Sequence, residues 1–205
     1  MESMRRFGAI VGADLLERTR SVRFWVIQAM ICIASWWSFP TMDKDYVVLA
    51  VNGHLRGEYS SAWIGMVIAM LSVWLSLVGF YLVRGTLVRD FETRVWQLLV
   101  ATPLTRSAYL LAKWCSNMAV LMLVLVGALA VGVVAQLVRG ENLQVDLVEL
   151  VKPALLLALP SLALTSLLAL VFDLVPWLRR TAGNVLFFIL WIASLAATVP
   201  LMKST

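Results

Sequence analysis

Residues able to do chemistry are scarce in this sequence, and most of them are gathered in one place. The stretch Arg84 to Lys113, RGTLVRDFETRVWQLLVATPLTRSAYLLAK, holds Arg84, Arg89, Asp90, Glu92, Arg94, Arg106 and Lys113 between two long apolar runs. Elsewhere the candidates stand alone: His54, Cys32, Cys115, and Asp173 at the edge of an apolar run. There is no paired-carboxylate site, no HExxH or GxSxG, no Cys/His spacing suited to a metal, and no GxxxxGKS/T phosphate loop. A lone loop histidine is far more often solvated than a metal ligand. The two cysteines lack the matched spacing of a disulfide framework and read as small hydrophobes. Asp173 is the one candidate for an intramembrane ionisable group, and pairing with Arg179 or Arg180 suits it better than a proton relay. The expectation is a protein that is not an enzyme, with no catalytic, cofactor-binding or metal site. What the charged stretch offers instead is a surface for another polypeptide.

The elements that position this stretch follow from composition. Of 205 residues, 61% are hydrophobic and 14% are charged, with a mean hydropathy of +0.88. Soluble domains carry about 25% charged residues. So much apolar sequence needs lipid as its solvent. The net charge of +5 does not indicate nucleic acid: no basic run exceeds two residues, and most cations flank apolar spans. The predicted fold is all-α, a polytopic transmembrane helical bundle forming a single domain over residues 1–205.

Five spans are visible, at about 24–39, 61–83, 110–138, 153–174 and 185–202. Pro40 stops the first, which is short for a hydrocarbon core of about 30 Å. Residues 1–23 alternate Phe7, Ile10, Val11, Leu15 and Leu16 with arginines at both ends, which predicts an interfacial helix on the membrane surface. Asp14 and Glu17, and the lack of a small-residue cleavage site, argue against a signal peptide. In the third span Ala128 and Gly132 form a small-xxx-small pair. It fits a packing seam or dimer contact, and equally the ordinary frequency of small residues in spans. Pro160 predicts a kink in the fourth span, with Thr165 and Ser166 available to the freed carbonyls.

Cation counts set the topology. With the N-terminus inside, twelve cations (Arg5, Arg6, Arg18, Arg20, Arg23, Arg84, Arg89, Arg94, Arg106, Lys113, Arg179 and Arg180) fall on the inner side. Five (Lys44, Arg56, Arg139, Lys152 and Lys203) fall on the outer side. The positive-inside bias then puts the N-terminus and residues 84–109 in the cytoplasm.

Within that cytoplasmic island, Leu87, Phe91, Trp96, Leu98 and Leu99 supply apolar surface. Asp90 and Arg94 stand four apart in the favourable acid-first order. Thr102-Pro103 ends the helix and LTRSAY turns the chain back towards the membrane. Such a helix, tied to two spans, would tilt both if a soluble motor moved it. The same residues also fit an amphipathic helix resting on lipid.

The run RGTLVRDFETRVWQLLVATPLTRSAYLLAKW resembles the signature of type-2 ATP-binding-cassette (ABC) exporter permeases, in which a charged segment leads into a "gtle-LLatPlsr-yllgK" pattern between the second and third spans. The matching positions are Gly85, Thr86 and Leu87, then Glu92 and Gln97 to Leu99, then Ala101 to Arg106, and finally Tyr109 to Leu111 with Lys113. The GTL and QLL parts stand further apart here than in the commonest form. The resemblance implies an N-terminal interfacial helix, a coupling helix at about 90–101, a second permease subunit as partner, and a cytoplasmic ABC ATPase subunit that uses ATP. Coupling would then rest on Glu92, Arg94, Gln97, Leu98, Leu99, Pro103 and Arg106, while Ala128, Gly132 and Pro160 serve helix packing. Permeases of this family usually have six spans, so five predict that the chain is part of a longer product.

The expectation is therefore an exporter permease in a bacterial inner membrane, moving an unidentified substrate, with lipid and the ATPase as partners and no nucleic acid. The alternative is a non-transporting membrane anchor that recruits a cytoplasmic partner through the same island.

Overall fold

A computed structural model describes residues 2–40, 50–51, 55–56, 58–92, 105–139 and 141–203. The described chain is helical apart from one minimal antiparallel pair, β1 (Ala50–Val51) with β2 (Leu55–Arg56). The helices are α1 (Glu2–Thr19), α2 (Val22–Trp37), α3 (Ser61–Val83), α4 (Thr86–Glu92) and α5 (Arg106–Arg139). Then follow α6 (Leu147–Pro153), a π-helical turn (Ala154–Ala158), α7 (Leu159–Leu174) and α8 (Thr181–Lys203).

Helix starts are set by short polar side chains. Ser21, Ser60 and Asp146 each take extended backbone and accept a hydrogen bond from an amide of the first turn, satisfying donors that have no partner within the helix. Between the caps the sequence is apolar, and in lipid a helix is the conformation that satisfies its own backbone. Three helical stretches, Ser61–Asp90, Arg106–Arg139 and Leu147–Leu174, are long and apolar enough to cross a membrane, and Val22–Trp37 and Thr181–Ala197 are shorter apolar helices. By length and composition this is a helical membrane protein. Its outward faces agree, since Trp25, Met30, Trp74, Val126, Leu156 and Ile189 are all exposed.

Helix α3 is the hub of the bundle, in contact with α2, α5, α6, the π turn, α7 and α8. Near its start Gly65 lies so close to α6 that an added Cβ would stand 2.3 Å from the Leu150 carbonyl oxygen. Near its end Phe80 stacks on Phe187 of α8 at 3.6 Å and meets Phe172 of α7 edge-on at 5.3 Å. The Ala128–Gly132 pair of α5 faces inward: the Ala128 carbonyl accepts from Ser35 Oγ at 3.0 Å. At Gly132 a Cβ would come within 2.6 Å of Ile64 on α3. Both residues thus face α2 and α3 of the same chain.

The proline-rich span is built differently from a simple kink. Pro153 closes α6, and Pro160 sits in the first turn of α7, so two backbone donors are missing within eight residues. Between them the chain widens into the π turn, whose end is marked by the Leu159 amide bonding to the Ala154 carbonyl, five residues back. Thr165 and Ser166 do not attend to the freed carbonyls. They donate to Ser161 O at 2.9 Å and Ala163 O at 2.8 Å, within their own turns of α7.

Candidate functional site

One end of the bundle gathers α1, the ends of α3 and α7, all of α4 and the start of α5. Here the island meets the transmembrane helices, and here the buried charge is concentrated.

The centre is Asp14 of α1. Ile10, Val11 and Leu15 give that helix its apolar character, and Asp14 lies on the side that packs on α5, in contact with Lys113 and Ser116. Its carboxylate accepts from Lys113 Nζ at 2.9 Å, Ser116 Oγ at 2.6 Å, Arg18 Nη2 at 3.2 Å and Arg89 Nη2 at 3.2 Å. Lys113 Nζ also lies 2.7 Å from Asp90 Oδ2 of α4, which accepts a hydrogen bond from the Tyr109 hydroxyl at 2.5 Å. Arg18 reaches the Thr86 hydroxyl at 2.6 Å, and Thr86 donates onward to the Val83 carbonyl. At the rim Arg89 pairs with Glu17 at 3.0 Å. Three cations and three carboxylates therefore close on one another, joining α1, α4 and α5.

Asp14, Asp90 and Lys113 are each less than a tenth exposed, so solvent screens them little. Burial pushes the Asp14 carboxyl up; the Arg18 and Lys113 charges and the hydrogen bonds from Ser116 and Lys113 outweigh it and hold the group below the ordinary carboxylate range. Burial lowers the pKa of the Arg18 guanidinium, with Asp14 opposing.

A second connection ties α4 to α7. Gly85, at φ +82°, turns the chain between α3 and α4 in the left-handed region that glycine enters without strain. The Asp173 carboxylate then accepts from Gly85 N at 3.0 Å and Leu87 N at 3.3 Å, capping the start of α4. Arg179, expected to pair with Asp173, donates its Nε to the Asp173 main-chain carbonyl at 2.6 Å. Arg84 binds Asn184 Oδ1 and the Leu178 carbonyl, fastening the end of α3 to the start of α8.

Of the residues expected to couple the island to a partner, Glu92 closes α4 and is exposed, and Arg106 opens α5 and is exposed. Arg94, Gln97, Leu98, Leu99 and Pro103 lie outside the described residues, as does His54. Sequence reasoning did not single out Asp14, Arg18, Asp90, Tyr109 and Lys113 as one cluster. The signal that could have found it is Asp14 with Arg18 four residues on, an acid-first pair set among apolar residues of a helix. Among the described residues no group of three or more His, Cys, Asp and Glu could hold a metal ion.

Chemically the Asp14 and Asp90 carboxylates are each engaged by cations and a hydroxyl. What it can do is hold helices together. No protein-family model matches the chain, and no curated protein or solved structure is significantly similar to it.

Proposed function

We propose that this chain is the transmembrane permease subunit of an ABC-type exporter, with residues 84–109 forming the cytoplasmic segment on which a separate ATPase acts. ATP is hydrolysed by that partner, and a second permease subunit, identical or not, completes the translocation path. The N-terminus is cytoplasmic, in a bacterial inner membrane.

The observation that supports this reading is the fastening of α4. Lys113 joins Asp90 of α4 to Asp14 of α1 from its place on α5, and Asp173 of α7 caps the same helix. A force applied beyond Glu92 would pass into four helices through buried ion pairs and hydrogen bonds rather than through a slack loop. Buried charge pairs resist separation because each partner left alone carries a large desolvation cost.

The test is affinity purification of the tagged chain from its native membrane, with an ATPase assay on what accompanies it. A stoichiometric nucleotide-hydrolysing subunit, lost when Leu98 and Leu99 are made charged, is the expected result. Clean purification with no ATPase would instead mean a membrane anchor.

A further inference from the structure

The island end of the bundle also contains a cleft of about 620 Å³, between the start of α2, the ends of α3 and α7, and α4. Five arginines line it, Arg18, Arg23, Arg84, Arg89 and Arg179, against two carboxylates, Glu92 and Asp173. Helix packing accounts for part of this set. Arg89 serves Asp14 and Glu17, and Arg84 serves Asn184 and the carbonyl of Leu178.

Arg18 and Arg23 keep donors to spare. Arg18 is only 7% exposed, and its Nη1 has no acceptor among the described residues. A buried guanidinium donor without an acceptor carries a desolvation penalty that a bound anion would remove. Arg23 is exposed and has no ion pair or hydrogen bond among the described residues. Helix α2 also begins here: Ser21 and Val22 line the cleft, and the first turn carries no acidic residue to offset the positive end of a 16-residue helix. Phosphate oxygens suit this combination of helix start and guanidinium.

The remaining wall says where the anion comes from. Val22 and Leu82 line the cleft. Val22 is 78% exposed, and the apolar outward face continues along α2 through Trp25, Val26, Met30 and Ile33. An arginine cleft that runs onto an exposed apolar helix has the shape of a charged head attached to hydrocarbon. A tryptophan beside the junction is characteristic of the membrane–water boundary.

We propose that this cleft binds the phosphate of an anionic phospholipid, its headgroup held by Arg18 and Arg23 and its acyl chains lying along α2. The proposal requires the membrane but not the ATPase, so it stands or falls apart from the exporter reading.

The test is a thermal-unfolding titration of the purified full chain in detergent with phosphatidylglycerol, phosphatidylcholine or inorganic phosphate. Phosphatidylglycerol is expected to raise Tm saturably while the other two do not. Arg23→Gln, outside the ion-pair network, should raise the half-saturating concentration about five- to tenfold. Arg20→Gln removes the same charge from a neighbouring exposed position outside the cleft and should change it less than about twofold. Equal effects of the two variants, or equal response to phosphatidylcholine, would overturn the site. A shift produced by inorganic phosphate that abolishes the phosphatidylglycerol response would overturn the lipid assignment in favour of a soluble phosphate.

Discussion

Lys113 and Asp14, 99 residues apart in sequence, meet at 2.9 Å in a space that excludes water almost completely. The same ammonium holds Asp90 at 2.7 Å, so one side chain of α5 fixes both the N-terminal helix and the first helix of the island. Removing it should cost more than one ion pair. Lys113→Met leaves two buried carboxylates short of a cation, and a loss of about 3–5 kcal/mol is expected. Thermal unfolding in detergent would show it as a lowered Tm. A variant that unfolds like the parent would mean that Asp14 and Asp90 are satisfied without Lys113.

The network also makes stability depend on pH in a defined direction. The Asp14 carboxyl sits below its ordinary value when folded, so the stability it contributes is fully present above about pH 4, its unfolded range. It is lost as pH falls through the lower folded value. Unfolding scans from pH 7 down to pH 3 should show a falling Tm in that acid window. Asp14→Asn should start lower and flatten the window, and an unchanged slope in that variant would assign the acid sensitivity elsewhere.

Two glycines of α3 separate backbone crowding from side-chain crowding. A Cβ at Gly65 would stand 2.3 Å from the Leu150 carbonyl oxygen, whereas at Gly79 the nearest atom, at 2.6 Å, is the end of the Leu121 side chain. Leu121 can rotate and a helix backbone cannot. Gly65→Ala is expected to cost about 1–3 kcal/mol and Gly79→Ala less. Paired Tm measurements decide the order, and a reversed order would refute the close approach of α3 to α6.

The cap on α4 predicts a local effect. Asp173→Ala removes the acceptor for the Gly85 and Leu87 amides, at a cost of about 1 kcal/mol. Hydrogen exchange at residues 85–89 should accelerate about fivefold, while exchange in the centre of α3 stays as it was. Equal acceleration in both places would mean that Asp173 supports the bundle rather than α4.

If the island receives work from an ATPase, Leu98→Asp should leave membrane insertion intact and separate ATP hydrolysis from transport. Insertion is read from the membrane fraction, and coupling from hydrolysis measured beside substrate efflux. Normal transport by the variant would remove Leu98 from the coupling surface.

Much of the architecture was legible because lipid imposes a simple rule. Ser61 to Val83 reads as one unbroken apolar run between a polar loop and Arg84, and α3 occupies the same residues. The run beginning at Leu110 underestimates its helix, since α5 starts at Arg106: polar first-turn residues such as Arg106 and Ser107 extend it beyond the apolar signal. The ion-pair cluster was not legible. An arginine or lysine beside a span looks the same to a cation count whether it faces water or a buried aspartate, and only folding brings Asp14 to Lys113. Asp173 illustrates the same limit. Arg179, six residues away, was legible as a neighbour, and its Nε does reach the Asp173 main chain, but the amides that the carboxylate caps are 86 and 88 positions away.

The π turn keeps a row of residues in step. Leu150, Ala154, Ala158 and Leu162 recur every four residues, and all four are buried. In an unbroken α-helix each four-residue step overshoots a full turn by about 40°, so such a row would wind off one face within two or three steps. The wider winding of residues 154–158 turns less per residue and cancels the drift. Proline placement thus acts as a phase correction, and it lets a strict four-residue repeat run straight along α3 without requiring either helix to supercoil.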